Sequence, residues 1–149
     1  MSIKEKLNED LKKALKEGKK ERLSVIRMAK AAIINEEKDR MHELNDDEVI
    51  EVISREVKKR KDAKEEYERL GRSDKADELQ REIEILQEYL PLQLTEEELE
   101  EIVKKTISEI GAKDLKDLGM VMKAVLPQVK GRADGKAVNA IVKKLLQSQ

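Results

Sequence analysis

Lys130-Gly131-Arg132-Ala133-Asp134-Gly135-Lys136 is the stretch on which the fold turns. It sets two glycines, three cations and one carboxylate between the apolar runs Met120–Leu126 and Val138–Leu146. Two architectures use such a composition. A phosphate-binding loop has the form G-x-x-x-x-G-K-[ST], follows a strand and opens a helix, which would make the chain α/β. Here three residues separate Gly131 from Gly135, Ala137 stands where a Ser or Thr would hold magnesium, and no strand pattern precedes the stretch. The other architecture needs only local chemistry. Gly131 permits a positive-φ turn, and Asp134 caps a last helix over Gly135–Gln147. The segment then reads as a turn between two helices, and the chain upstream agrees.

That chain has 149 residues, of which 44% are charged, 38% hydrophobic and 1% aromatic, with no Trp, Phe or Cys. Such a composition favours helix and is poor in strand formers. The 32 basic and 33 acidic side chains nearly cancel, and the apolar residues recur at helical spacing, so ordered helices are expected rather than disorder. Without cysteine there is no disulfide and no thiolate metal site. No apolar run reaches the roughly 20 residues of a membrane span, and Met1-Ser2-Ile3-Lys4-Glu5 lacks the apolar stretch of a signal peptide. The expectation is a soluble cytoplasmic protein with no membrane partner.

Helix punctuation is regular. Ser2 with Glu5, Asn45 with Glu48 and Thr95 with Glu98 have the spacing of capping boxes, and Gly18, Gly71 and Gly111 are natural stops. The first helix carries Leu7, Leu11 and Leu15 on one face. A second runs over about Lys20–Lys38, with Leu23, Ile26, Lys30 and Ile33 or Ile34 along its stripe. Its small surface, Met28, Ala29, Ala31 and Ala32, predicts a buried central helix. A third spans about 25 residues from Asn45 to Gly71, its apolar seam interrupted at Lys58-Lys59-Arg60-Lys61. A fourth starts at Ser73 or Asp74 and ends at Pro91. Leu90-Pro91-Leu92-Gln93-Leu94 marks the domain boundary as an apolar junction, expected to pack against both sides, rather than a Gly/Ser linker. Thr95 to Ile110 forms the next helix, and Asp114 caps one over Leu115–Leu126 stopped by Pro127. The reading is all-α: an N-terminal helical bundle over 1–92 and a small three-helix domain over 93–149.

Chemistry is sparse. The single histidine, His42, falls in a connection with no second metal-ligand type spaced beside it, and no thiol or Ser-His-Asp set exists. The carboxylates Glu96-Glu97-Glu98 and Glu100-Glu101 stand near a helix start, where they favour the dipole and face water. No catalytic residue, metal site or cofactor is assigned. The charge that stands out is basic. From Gly119 to the end, Lys123, Lys130, Arg132, Lys136, Lys143 and Lys144 face one acid, Asp134, a local charge of +5 in a chain of −1. A helix start beside Arg132 and Lys136 offers N–H groups and cations to phosphate. Two readings of Arg132 and Lys136 stand side by side, a phosphate contact and a structural turn, while Lys143 and Lys144 also suit a solvated face. Arg55 with Lys58–Lys61 is a weaker second basic cluster. With only Tyr67 and Tyr89 as aromatics, base stacking is not a main mode, so contacts would be salt-sensitive and sequence-blind.

The strings Tyr89-Leu90-Pro91-Leu92-Gln93-Leu94 and Lys130-Gly131-Arg132-Ala133-Asp134-Gly135, with Arg22-Leu23 to Ile34-Asn35-Glu36, Tyr67, Gly71-Arg72 and Asp117–Met122, resemble the YqeY family. These are small stand-alone proteins related to the C-terminal tail of the B subunit of glutamine-dependent aspartyl/glutamyl-tRNA amidotransferase. Leu118 stands where that family more often has methionine, a conservative exchange. The resemblance implies the all-helical two-part architecture above and a role near tRNA. Such families often carry the label carbon–nitrogen ligase with glutamine as amide donor, by inheritance from the larger enzyme, whose catalytic domain has no counterpart here. Two functional expectations follow. One is a non-catalytic tRNA-binding or amidotransferase-associated module. The other is a protein-interaction adaptor for a tRNA-modifying or synthetase complex, using Leu92, Leu94 or the Met120–Met122 surface.

Overall fold

The computed structural model describes residues 1–148, whose regular structure is helical, with no strand among them. They divide into two compact units, Met1–Pro91 and Leu92–Gln149.

The first unit holds α1 (Ile3–Glu17), α2 (Lys20–Arg40), α3 (Asp46–Arg69) and α4 (Ser73–Gln87). Its helix starts are those the sequence announces. The Ser2 hydroxyl accepts from the Glu5 N–H and the Asn45 side chain from the Glu48 N–H, each with the reciprocal carboxylate bond of a capping box. Gly18 closes α1 in the left-handed conformation, at φ 68°. The core gathers Leu7, Val25, Ile26, Ile53, Ile83 and Leu86 between the four helices.

Three expectations about this unit are corrected. Leu15 is 60% exposed, and Ala14, one position earlier, is buried in its place. The small surface of α2 is covered on one side only: Ala29 is buried, whereas Met28 and Ile34 are 48% and 47% exposed. The fourth helix stops at Gln87, before Pro91 is reached. Its end tightens through bonds from Tyr89 N–H to Leu86 O (3.1 Å) and from Leu90 N–H to Gln87 O (3.1 Å). That tighter turn buries the Tyr89 ring and lets its hydroxyl donate to the Asp10 carboxylate on α1.

The second unit holds α5 (Glu96–Ile110), α6 (Leu118–Val125) and α7 (Gly135–Gln147). Leu99, Val103, Val121, Val125, Val138 and Val142 form its core, nearly all β-branched and without an aromatic ring. The helix expected over Leu115–Leu126 is shorter. Asp114 caps a 3-10 turn at Leu115–Asp117 that leads into α6, and a second 3-10 turn over Leu126–Gln128 accommodates Pro127. Proline suits this position because the first residues of a helical turn have no use for an N–H.

Candidate nucleic-acid interface

The segment between α6 and α7 is built by local chemistry. Gly131 sits at φ 75°, a left-handed geometry that carries little cost only without a Cβ. The Arg132 N–H donates back to Val129 O at 2.8 Å, closing the turn. The Asp134 carboxylate then accepts from the Ala137 N–H at 2.8 Å and starts α7.

This turn is also bonded to the strap that opens the unit. Leu94 N–H donates to Arg132 O at 2.8 Å, and the Gln93 side-chain amide donates to Gly131 O at 2.8 Å. In return the Arg132 Nε–H donates to Leu92 O at 3.1 Å. The two sequence strings that carried the resemblance, separated by about forty positions, therefore meet residue on residue. Arg132 also lowers the Glu98 carboxyl below its ordinary value, a minor addition to the larger effects of the Thr95 backbone N–H and hydroxyl.

The six candidate cations are not alike. Arg132 is half-buried and its Nε–H is committed to Leu92 O, which makes its first role structural. Lys123, Lys130, Lys136, Lys143 and Lys144 are exposed. On α7 the spacing decides the geometry. Val138, Ile141, Val142 and Leu146 are buried along one side, and positions 136, 143 and 144 fall on the other. Lys136 and Lys143 lie seven residues apart, about 10 Å along the axis. Lys123 projects from α6 and Lys130 from the turn. Gly131, Asp134 and Gly135 occupy the turn-and-cap positions expected for them.

Three members of the second basic cluster are held by carboxylates. Arg55 pairs with Glu36 at 3.0 Å and Lys59 with Glu56 at 3.2 Å. Arg60 is buried, its guanidinium on Glu56 (3.2 Å) and Glu82 (3.0 Å), with Met28 Sδ 3.8 Å away. The sequence did hold the signal: Val49, Ile53, Val57 and Arg60 continue one stripe, and a cation in register with it points inward. His42 is exposed and lies 3.5 Å from Glu48. Among the described residues no cluster of His, Asp and Glu has the grouping a metal would need.

Fold and site together define an all-helical protein of a four-helix unit and a three-helix unit, the latter presenting lysines opposite its core. The YqeY family profile, described as Yqey-like protein, matches residues 4–146. The chain belongs to the YqeY family. It is 30% identical over 131 residues to Altered inheritance of mitochondria protein 41, mitochondrial, of Pyrenophora tritici-repentis, covering 86% of this chain and 71% of that protein. It is also 40% identical over 58 residues to the E subunit of glutamyl-tRNA(Gln) amidotransferase of Thermococcus gammatolerans, covering 36% of this chain and 9% of that protein. The second match is confined to a short stretch of that amidotransferase subunit. No helix among the described residues is long and apolar enough to cross a membrane.

Proposed function

We propose that this protein is a non-catalytic module that engages the phosphate backbone of tRNA through its second unit, in the service of a tRNA-dependent amidotransferase or synthetase. The observation that carries the reading is the outer face of α7. Lys136, Lys143 and Lys144 occupy it and Lys130 precedes it, in a stretch that carries six cations and one acid from Gly119 onward. Long cations on a rigid helix meet phosphates without reading bases, so affinity falls steeply with salt. The likeness to part of a glutamyl-tRNA(Gln) amidotransferase supports tRNA as the nucleic acid.

The test is a salt-titrated fluorescence anisotropy measurement with tRNA. Reversing Lys143 and Lys144 together to Glu should weaken binding across all tRNAs and flatten the log–log salt slope by roughly two, one unit per phosphate contact. Both positions are exposed, so far-UV circular dichroism should stay as in the wild type. Reversing Lys58 and Lys59 on α3 should leave binding unchanged. No anisotropy change with tRNA at low salt would end this reading.

A second reading has its own observation. Met120, Leu115 and Leu126 on the second unit are 48%, 45% and 40% exposed, which suits an adaptor that docks a protein partner. It requires that Met120→Glu abolish binding to a purified amidotransferase or synthetase, measured by calorimetry, while tRNA affinity holds.

A further inference from the structure

Arg60 places one nitrogen on a weak acceptor. Its guanidinium is buried, with Nε donating to Glu82 at 3.0 Å and Nη1 to Glu56 at 3.2 Å. Among the described residues, the acceptor that meets Nη2 is the Met28 thioether sulfur, at 3.8 Å. Sulfur accepts poorly, and a buried cation is held far better by oxygen. Met28 itself is not sealed in. It is 48% exposed and borders a hollow of about 510 Å³ between α2 and α3, where Ala31 and Ala32 leave room beside it. A small oxidant therefore has access to the sulfur that the guanidinium faces.

We infer that Met28 is a methionine sulfoxide site, and that Arg60 holds the oxidised side chain in the folded protein. The reaction needs a peroxide. The sulfur lone pair attacks one peroxide oxygen, an S–O bond forms as the O–O bond breaks, and the departing oxygen of hydrogen peroxide carries off both protons as water. Sulfur loses two electrons and the peroxide gains them. With an S–O bond of about 1.5 Å, the new oxygen can stand about 2.9 Å from Nη2 at an S–O···N angle of about 115°, an ordinary charge-assisted hydrogen bond. A sulfoxide formed in a core usually disrupts packing, because it sets a polar group among apolar ones. Here it replaces the weak acceptor of a buried cation, so oxidation stabilises the fold. Met41 is 89% exposed and Met120 48%, and no donor bonds either sulfur among the described residues. Their sulfoxides face water and leave stability as it was.

The test compares sulfoxides within one preparation of the wild-type chain. Limited treatment with hydrogen peroxide leaves each exposed methionine partly oxidised. A pulse of protease at the urea midpoint of the first unit then cleaves unfolded chains, and mass spectrometry reads the sulfoxide fraction at each position in cleaved and surviving protein. The ratio of folded to unfolded chains should be at least about threefold higher for Met28 sulfoxide than for unmodified Met28, the lower range for one hydrogen bond. Met41 sulfoxide, in the same unit, should partition evenly. Even partition or depletion at Met28 overturns the inference, as does a Met28 that stays unoxidised while Met41 is converted. Variants give a second readout. Met28→Gln sets an amide oxygen near the position of the sulfoxide oxygen, and should unfold at higher urea than Met28→Leu. That order should vanish when Arg60→Met is added. A Met28→Gln chain that unfolds no later than Met28→Leu, or an order that survives Arg60→Met, also overturns the inference. Where the Arg60→Met chain does not fold, the partition in the wild-type chain decides alone.

Discussion

A buried guanidinium is costly unless its N–H groups find acceptors, and Arg60 shows how this chain supplies them. Glu56 one turn back on α3 and Glu82 on α4 take its Nη1 and Nε protons, and the Glu56 carbonyl takes a further one at 3.0 Å. Arg60→Ala should cost about 3 kcal/mol, the low end for breaking a buried pair. The partner carboxylates keep 15% and 26% of their side-chain surface and can partly rehydrate. Lys59→Ala next door, at 74% side-chain exposure, should stay within about 0.5 kcal/mol. Urea unfolding distinguishes the two, and equal losses would refute the assignment. Residue type alone hid this: four successive cations look alike in a sequence, and only register separates the one that faces inward. Ser54 is the converse case. Its buried hydroxyl has no partner, so Ser54→Ala should leave stability unchanged or raise it by up to about 1 kcal/mol.

Among the elements, those governed by local chemistry were legible and those governed by packing were not. The three capping boxes, the stops at Gly18 and Gly111 and the Asp134 cap depend on residues within one turn. The end of α4 depends on where Tyr89 must go, and the exposed side of α2 on which neighbours arrive. The strap over the Gly131–Arg132 turn was invisible for the same reason, since nothing in Leu92-Gln93-Leu94 names its acceptor. Its consequence is experimental. Arg132→Ala and Gln93→Ala should each lower the stability of the second unit by about 1 kcal/mol, one hydrogen bond apiece. Gly131→Ala should lower it by about 1–2 kcal/mol through left-handed backbone strain. Loss of RNA binding in an Arg132→Glu variant would therefore report on the turn as much as on a phosphate contact, and for that reason the exposed α7 lysines are the decisive probes. If thermal melts of Arg132→Ala and Gln93→Ala overlay the wild type, the strap contributes nothing.

Over the whole molecule, acid should act unevenly, because carboxylates lowered by their surroundings are concentrated in the first unit. Arg40 joins the end of α2 to the start of α3, holding Glu36 at 2.9 Å, Glu48 at 2.8 Å and Glu51 at 3.1 Å. Glu36 is lowered first by Arg40 and then by Arg55, Glu48 by the Asn45 N–H, Glu37 by Lys4, and Asp74 by Arg72. In the second unit Glu98 is lowered by the Thr95 N–H and hydroxyl. A carboxyl whose folded pKa lies below its unfolded one stabilises the fold fully above the ordinary carboxylate range near pH 4. That stabilisation drains away as the pH falls through the lowered, folded values. With Glu36, Glu37, Glu48 and Asp74 all within it, the first unit should lose more stability per pH unit below about pH 4 than the second. The chain supplies its own reporter, since both tyrosines, Tyr67 and Tyr89, lie in Met1–Pro91. Near-ultraviolet tyrosine dichroism should therefore collapse at a higher pH than the far-ultraviolet helical signal, to which both units contribute. Raising the salt concentration should narrow the gap by screening the exposed pairs. Coincident acid transitions by the two probes at low salt would show that these carboxylates do not set the order of unfolding.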